Sequence, residues 1–282
     1  MNNSPILIIG KTAKTGWRVE QRLRTLGYNT RAVSRSSSPA FDWNDELTWS
    51  AAMEGATSAY VSFYPDLAVP SAEDALRRFI DVAKSAGLKH IVLLSGRGEQ
   101  GAERCENILK GSGLDWNVVR ASWFMQNFSE GFMIEGILSG ELMLPAADIA
   151  EPFIDVDDIA DVAVAALTRD ELRNRLFEVS GPRALTFAQC AAELSAELGY
   201  QVNFTNISIN DFLNALADEG LDEDMQWLMR ELFTVVFDGR NSIPAKGVEE
   251  ALGRPATDFK DYIAKVLESG AWARDGLAKH AY

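Results

Sequence analysis

Two hydrophobic periods alternate along the first 120 residues. Short β-rich runs occur at 6–9, 30–34, 59–63, 90–95 and 116–120. The first is continuously apolar (Ile6, Leu7, Ile8, Ile9), as is 91–94 (Ile91, Val92, Leu93, Leu94). Strands buried on both faces have this character, as in a parallel sheet covered by helices. Helical spacing fills the gaps. Val19, Leu23 and Leu26 share a face that Gly27 closes. Ser71 reads as an N-terminal cap for a stripe of Ala75, Phe79, Val82, Ala83 and Ala86, stopped by Gly87. Strand and helix in alternation predict βαβ units with right-handed crossovers, and hence an α/β, doubly wound parallel sheet.

The pattern changes after residue 122. One more β run, 176–180, is expected to return to the sheet, and helices dominate the rest. One opens at 155–158. Another starts at Thr186, with Gln189 at capping-box spacing. Others are expected over 211–217, 223–233 and 258–267. Residues 271–282 show no clear period. No low-complexity linker separates the halves, so the C-terminal part is expected to cap the sheet and not to stand as an independent domain.

Composition narrows the function classes. The 282 residues carry a net charge of −14, which repels nucleic acid and anionic membranes. Cys105 and Cys190 stand in unrelated contexts and are expected as buried free thiols. Two histidines are too few for a histidine-rich metal centre, and no metal is expected. No stretch is long and apolar enough for a membrane span or a signal peptide, so a cytoplasmic location is expected.

Candidate chemistry begins directly after the first strand. Gly10-Lys11-Thr12-Ala13-Lys14-Thr15-Gly16 lies between a strand and a helix. Loop amides and a helix N-terminus there attract a pyrophosphate. Gly10 permits the turn, Gly16 lets the helix approach the strand, and Thr12, Lys14 and Thr15 supply donors. Ala13 stands where a glycine would give phosphate the closest approach, and a positive φ there would cost about 1 kcal/mol or more. The second strand ends in Val33-Ser34-Arg35-Ser36, with no acid for a ribose 2′-hydroxyl. Arg35 and the serine hydroxyls, Ser36 among them, suit a 2′-phosphate. The cofactor expected is NADP(H), with NAD(H) as the alternative.

Further segments recur in one order: Phe41-Asp42-Trp43, Thr48-Trp49, the strand ending at Ser95, Arg-Ala-Ser-Trp-Phe-Met-Gln-Asn-Phe-Ser-Glu at 120–130, Ile-Asp-Val-Asp-Asp-Ile-Ala at 154–160 and Ser-Gly-Pro-Arg-Ala-Leu-Thr-Phe at 180–187. Over roughly residues 5–265 the chain resembles the NmrA-like atypical short-chain dehydrogenase/reductases, above all the ergot-alkaloid (festuclavine and agroclavine) dehydrogenase group and its bacterial relatives. The resemblance implies a Rossmann-type core over 1–122 and a smaller, mainly helical substrate region over 123–282, with 154–182 returning to the sheet. It places Phe63 and Tyr64 beside the cofactor, Ser95 near the nicotinamide, and Phe124 and Asn127 in the pocket motif. Members are NADPH-dependent reductases of imines, quinones or related acceptors, or regulators that bind the dinucleotide without turnover.

The Tyr-x-x-x-Lys pair of standard short-chain dehydrogenases is absent after Ser95. Tyr64 and Ser95, at strand ends, are then the candidate proton donors, with Asn127 as a positioning amide. Trp123, Phe124 and Phe128 read either as core or as a wall for a flat apolar acceptor. The expected function is hydride transfer from NAD(P)H, preferably NADPH, to a small apolar or aromatic imine, quinone or carbonyl. The alternative is a non-catalytic dinucleotide sensor. The expected partner is a small-molecule substrate, and a homodimer is compatible with the sequence.

Overall fold

The computed structural model describes residues 4–221 and 223–273. The tail beyond 273, most of the patternless 271–282 segment, lies outside them. The chain divides into two compact units.

The first unit takes the chain up to residue 121, then 156–179 and 246–255. Its strands are β1 (Ile6–Ile9), β2 (Thr30–Val33), β3 (Ser58–Val61), β4 (His90–Gly96), β5 (Asp115–Ala121) and, late in the chain, β7 (Arg175–Val179). They form one six-stranded sheet in the order β2-β1-β3-β4-β5-β7, every pair parallel. All four residues of β1 are buried, as a strand covered on both faces requires. The order reverses between β1 and β3, and open α/β sheets bind ligands at such a switch point, beyond the strands' carboxyl ends.

Around this sheet lie α1 (Gly16–Thr25), α2 (Trp49–Met53), α3 (Ala72–Ala86), α4 (Gln100–Lys110), α6 (Val156–Thr168) and α10 (Gly247–Leu252). The return of α10 was not legible in the sequence. It seats Gly247 against β7, where a Cβ would lie 2.3 Å from the Glu178 carbonyl oxygen. Ser71 corrects one expectation. Its backbone is already helical (φ −75°, ψ −16°), so its hydroxyl makes no cap bond, and Glu73 and Asp74 supply the first-turn negative charge.

The second unit takes 122–155, 180–245 and the chain from 256. It holds α5 (Ile134–Ser139), α7 (Phe187–Leu198), α8 (Ile209–Asp218), α9 (Glu223–Glu231) and α11 (Phe259–Ser269). It also holds a parallel pair, β6 (Glu141–Leu144) with β8 (Asn203–Asn206), which the sequence did not announce. Each strand has four residues, and most of β8 is polar and exposed, too short and too wet for a visible period. Thr186 caps α7 in a complete capping box with Gln189. The helix expected over 223–233 ends at Glu231, and a π-helical turn, Leu232–Val236, follows. Cys105 and Cys190 are free and buried. Among the described residues no helix is long and apolar enough to cross a membrane.

Candidate cofactor-binding site

The loop after β1 is built by close packing. Gly10 has φ +98°, and a Cβ there would lie 2.2 Å from Ser62 Oγ. A Cβ on Gly16 would lie 2.0 Å from the Gly10 carbonyl oxygen, so this glycine is what allows α1 to start against the strand. Ser62, at the end of β3, supports the turn from below by donating to the Ile9 carbonyl at 3.0 Å. The sequence reading missed Ser62, because nothing local marks a serine that packs under a loop 50 residues away.

Several loop amides are satisfied internally. Those of Gly10 and Lys11 donate to the Val33 carbonyl at 3.2 and 3.0 Å, and that of Ala13 donates to Gly10 at 2.9 Å. The amides of Thr12, Thr15 and Gly16 have no backbone acceptor among the described residues. Three donors at a helix N-terminus form an anion cradle. Ala13 does not have a positive φ, so the backbone penalty weighed for it does not arise. Lys11 and Thr12 are exposed, Lys14 is half-buried and Thr15 is buried.

Arg35 lies just past the end of β2 and is exposed, with no carboxylate partner among the described residues. Its guanidinium carbon sits 5.5 Å from the centroid of the Tyr64 ring. The structure thus brings together Arg35 and Tyr64, which the sequence placed on different strands. Ser34 Oγ and Ser36 Oγ lie 3.3 Å apart beside them. Ser37 instead braces the turn, donating to carbonyls of Ser34 and Pro39. Phe63 is half-buried, its ring 4.5 Å from that of Trp43.

Ser95 is corrected as a proton donor. It is buried, and its hydroxyl donates to Glu106 Oε1 at 2.7 Å. Burial opposes ionisation of Glu106, but hydrogen bonds from Arg120 and Ser95 outweigh it and hold the carboxyl below its usual range. An anionic acceptor keeps the Ser95 proton. Arg97, just past β4, places its Nε 2.6 Å from Glu178 Oε1.

A carboxyl pair that the sequence reading missed stands at the ends of β3 and β4. Glu99 fills the space left by Gly96, where a Cβ would lie 2.1 Å from its carboxyl carbon. It faces Asp66, whose Oδ1 accepts from the Ala68 amide at 2.8 Å. Burial raises the Asp66 carboxyl above its ordinary range, and the Ala68 and Glu99 bonds offset only part of this. Neither acid forms a recognisable motif, and only the folded loop brings them together.

In the second unit, Trp123, Phe124 and Asn127 are half-buried. Trp123 packs against Phe233 and Phe237, ring centroids 4.9 and 5.4 Å away, both presented around the π-helical turn. Phe124, Phe128 and Phe132 do not share a helix, since only a single 3₁₀ turn, Met125–Asn127, lies among them. Phe128 is corrected as a pocket residue. It is fully buried among Phe153, Phe187 and Phe259, which leaves no ring face for a ligand. Asp155, at the head of α6, accepts from Gln126 at 2.7 Å and Lys265 at 2.5 Å.

Known proteins share this chain along nearly its whole length. It is 28% identical over 277 residues to agroclavine dehydrogenase of Claviceps fusiformis, covering 92% of this chain and 96% of that protein. It is 29% identical over 279 residues to the NAD(P)H azoreductase of Xenophilus azovorans, covering 91% and 96%. The chain is similar to both of these enzymes over nearly the full length of each. Prestalk A differentiation protein A of Dictyostelium discoideum is 29% identical over 258 residues, covering 91% and 84%. No family model matches. Among solved structures, the NADPH-dependent quinone oxidoreductase of Escherichia coli, in complex with NADPH, superposes with a TM-score of 0.78 at 22% identity, covering 93% of this chain and 99% of that one. At that identity it shows the shared fold.

Proposed function

We propose that this protein is an NADPH-dependent oxidoreductase acting on a small apolar or aromatic acceptor. The observation that carries this reading is the switch point between β1 and β3, where amides of Thr12, Thr15 and Gly16 lie open. Arg35, unpaired with any acid among the described residues, stands at the end of the neighbouring strand. The residues fit the coenzyme. The loop amides, with Lys11 and Lys14, would hold the diphosphate, and Arg35 with Ser34 and Ser36 would hold the 2′-phosphate. Tyr64 offers a ring face beside that guanidinium. The relatives' names support the same class, one of them an NAD(P)H azoreductase.

When bound, the coenzyme supplies a hydride to the acceptor. An iminium acceptor needs nothing more, whereas a quinone, carbonyl or azo acceptor also takes a proton. Ser95 keeps its proton for Glu106. Tyr64, exposed at a strand end, and Asp66, whose carboxyl burial raises above its ordinary range, are the groups placed to give one. Trp123, Phe124 and Asn127 are assigned to the acceptor, with Trp123 as a flat apolar wall.

The test is titration with NADPH and NADH on wild type and Arg35→Ala. A charge-assisted phosphate contact contributes about 1.5–3 kcal/mol, so the variant should lose roughly 10- to 100-fold affinity for NADPH and little for NADH. Equal losses would remove Arg35 from the 2′-phosphate. NADPH consumption is then followed with quinones, imines and azo dyes. Tight binding without consumption of any acceptor would favour the dinucleotide-sensing alternative.

A further inference from the structure

Arg18 sits where helix electrostatics disfavour it. It is the third residue of α1, only 6% exposed, and no acid accompanies it in the first turn. The partial positive charge of a helix N-terminus repels a guanidinium, and burial strips its hydration. Several contacts hold it, among them the following. Nη1 donates to the Lys14 carbonyl at 2.8 Å, Nε lies 3.3 Å from Asp157 Oδ1, and the guanidinium carbon lies 4.2 Å from the Trp17 ring centroid.

A tie between α1 and α6 does not by itself account for this placement. Arg22 already makes that tie, 2.7 Å from Asp157 and 2.5 Å from Asp161. Arg18 also bonds the Lys14 carbonyl, whereas the backbone contact of Arg22 is to the Arg18 carbonyl. In a trans peptide the carbonyl and the following N–H point in opposite directions. Drawing the Lys14 oxygen back toward α1 therefore turns the Thr15 amide the other way. That amide is one of the three without a backbone acceptor.

We propose that Arg18 is a positioning residue for the coenzyme diphosphate: it fixes the 14–15 peptide through the Lys14 carbonyl, so that the Thr15 amide is presented to phosphate, and places a buried positive charge behind the loop. The proposal rests on the coenzyme reading above. It names a residue that touches no ligand and that a motif search over 10–16 passes by.

The experiment compares wild type, Arg18→Met, Arg18→Lys and Arg22→Met by calorimetric titration with two probes. NADPH carries both the diphosphate and the 2′-phosphate. Adenosine 2′-monophosphate carries only the ester that Arg35 would read. Arg18→Met should weaken NADPH at least tenfold while changing adenosine 2′-monophosphate less than twofold. Arg18→Lys should recover part of the loss, since an ammonium reaches the carbonyl but not the carbonyl and Asp157 together. Arg22→Met should lower the melting temperature and leave the ratio of the two affinities unchanged. Parallel losses for both probes, or wild-type NADPH affinity in Arg18→Met, would overturn the proposal. If melting shows that Arg18→Met does not fold, an Arg18→Lys ratio equal to that of wild type overturns it instead. Wild type binding neither probe would sink the coenzyme reading itself, an outcome distinct from the others.

Discussion

His90 gives this protein a calculable sensitivity to acid. It begins β4, is 1% exposed, and its Nε2 lies 2.9 Å from Asn117 Oδ1. The Asn117 amide nitrogen donates to the carbonyls of Leu172 and Arg175, which leaves Oδ1 as the group facing the ring. Nε2 must then carry the hydrogen, and the neutral ring presents Nδ1 as a buried acceptor without a hydrogen-bond partner among the described residues. Protonation would put a second N–H where nothing accepts it. Burial accordingly lowers the His90 pKa from 6.5 to about 4. Arg173 adds to the effect, and the Asn117 bond and the charges of Asp115 and Asp170 oppose it.

Between those values the unfolded chain binds a proton that the native state refuses. Stability is therefore full above about pH 6.5, falls as the pH drops, and stops falling near pH 4. At about 1.4 kcal/mol per pH unit the complete loss is about 3 kcal/mol, of which about 2 kcal/mol is reached by pH 5. His90→Gln keeps a donor for Asn117 and cannot titrate. Urea unfolding of both proteins from pH 7.5 to 4 should show wild type losing about 2 kcal/mol more than the variant by pH 5. Curves that run parallel through this range would refute the buried-neutral assignment, as would an NMR titration placing the His90 pKa at 6 or above.

Three other outcomes follow from the structure. Gly16→Ala forces a Cβ to within 2.0 Å of a backbone oxygen, so it should cost about 1–3 kcal/mol in thermal or urea unfolding and abolish NADPH binding; wild-type affinity in a folded variant would contradict the close approach. Asp66→Asn should stabilise the protein at pH 7, because a carboxyl whose pKa is raised by folding loses stability as the pH rises, and the gain over wild type should shrink toward pH 4. Thr186→Ala removes the hydroxyl of the α7 capping box and should lower stability by about 1 kcal/mol, read as a shift in urea midpoint.

Much of the first unit was legible because its signals are local. Continuous burial of 6–9, the glycines at 10 and 16, and the absence of an acid after Val33 each depend on a few neighbouring residues. Covered parallel strands must be apolar throughout, and a strand-to-helix turn needs small residues wherever backbone meets backbone. The sequence alone therefore determined the sheet, its crossovers and the glycine-bounded turn after β1. Tertiary structure decided which of the candidate side chains still had chemistry to offer. It spent the Ser95 proton on Glu106, buried Phe128 among three other rings, set Tyr64 beside Arg35, and buried the Asp66 carboxyl. It also folded the short polar β8 against β6 and brought α10 back to β7. These outcomes depend on contacts between residues far apart in the chain, where burial and a partner's charge set the state of a group, and a local pattern carries no record of either.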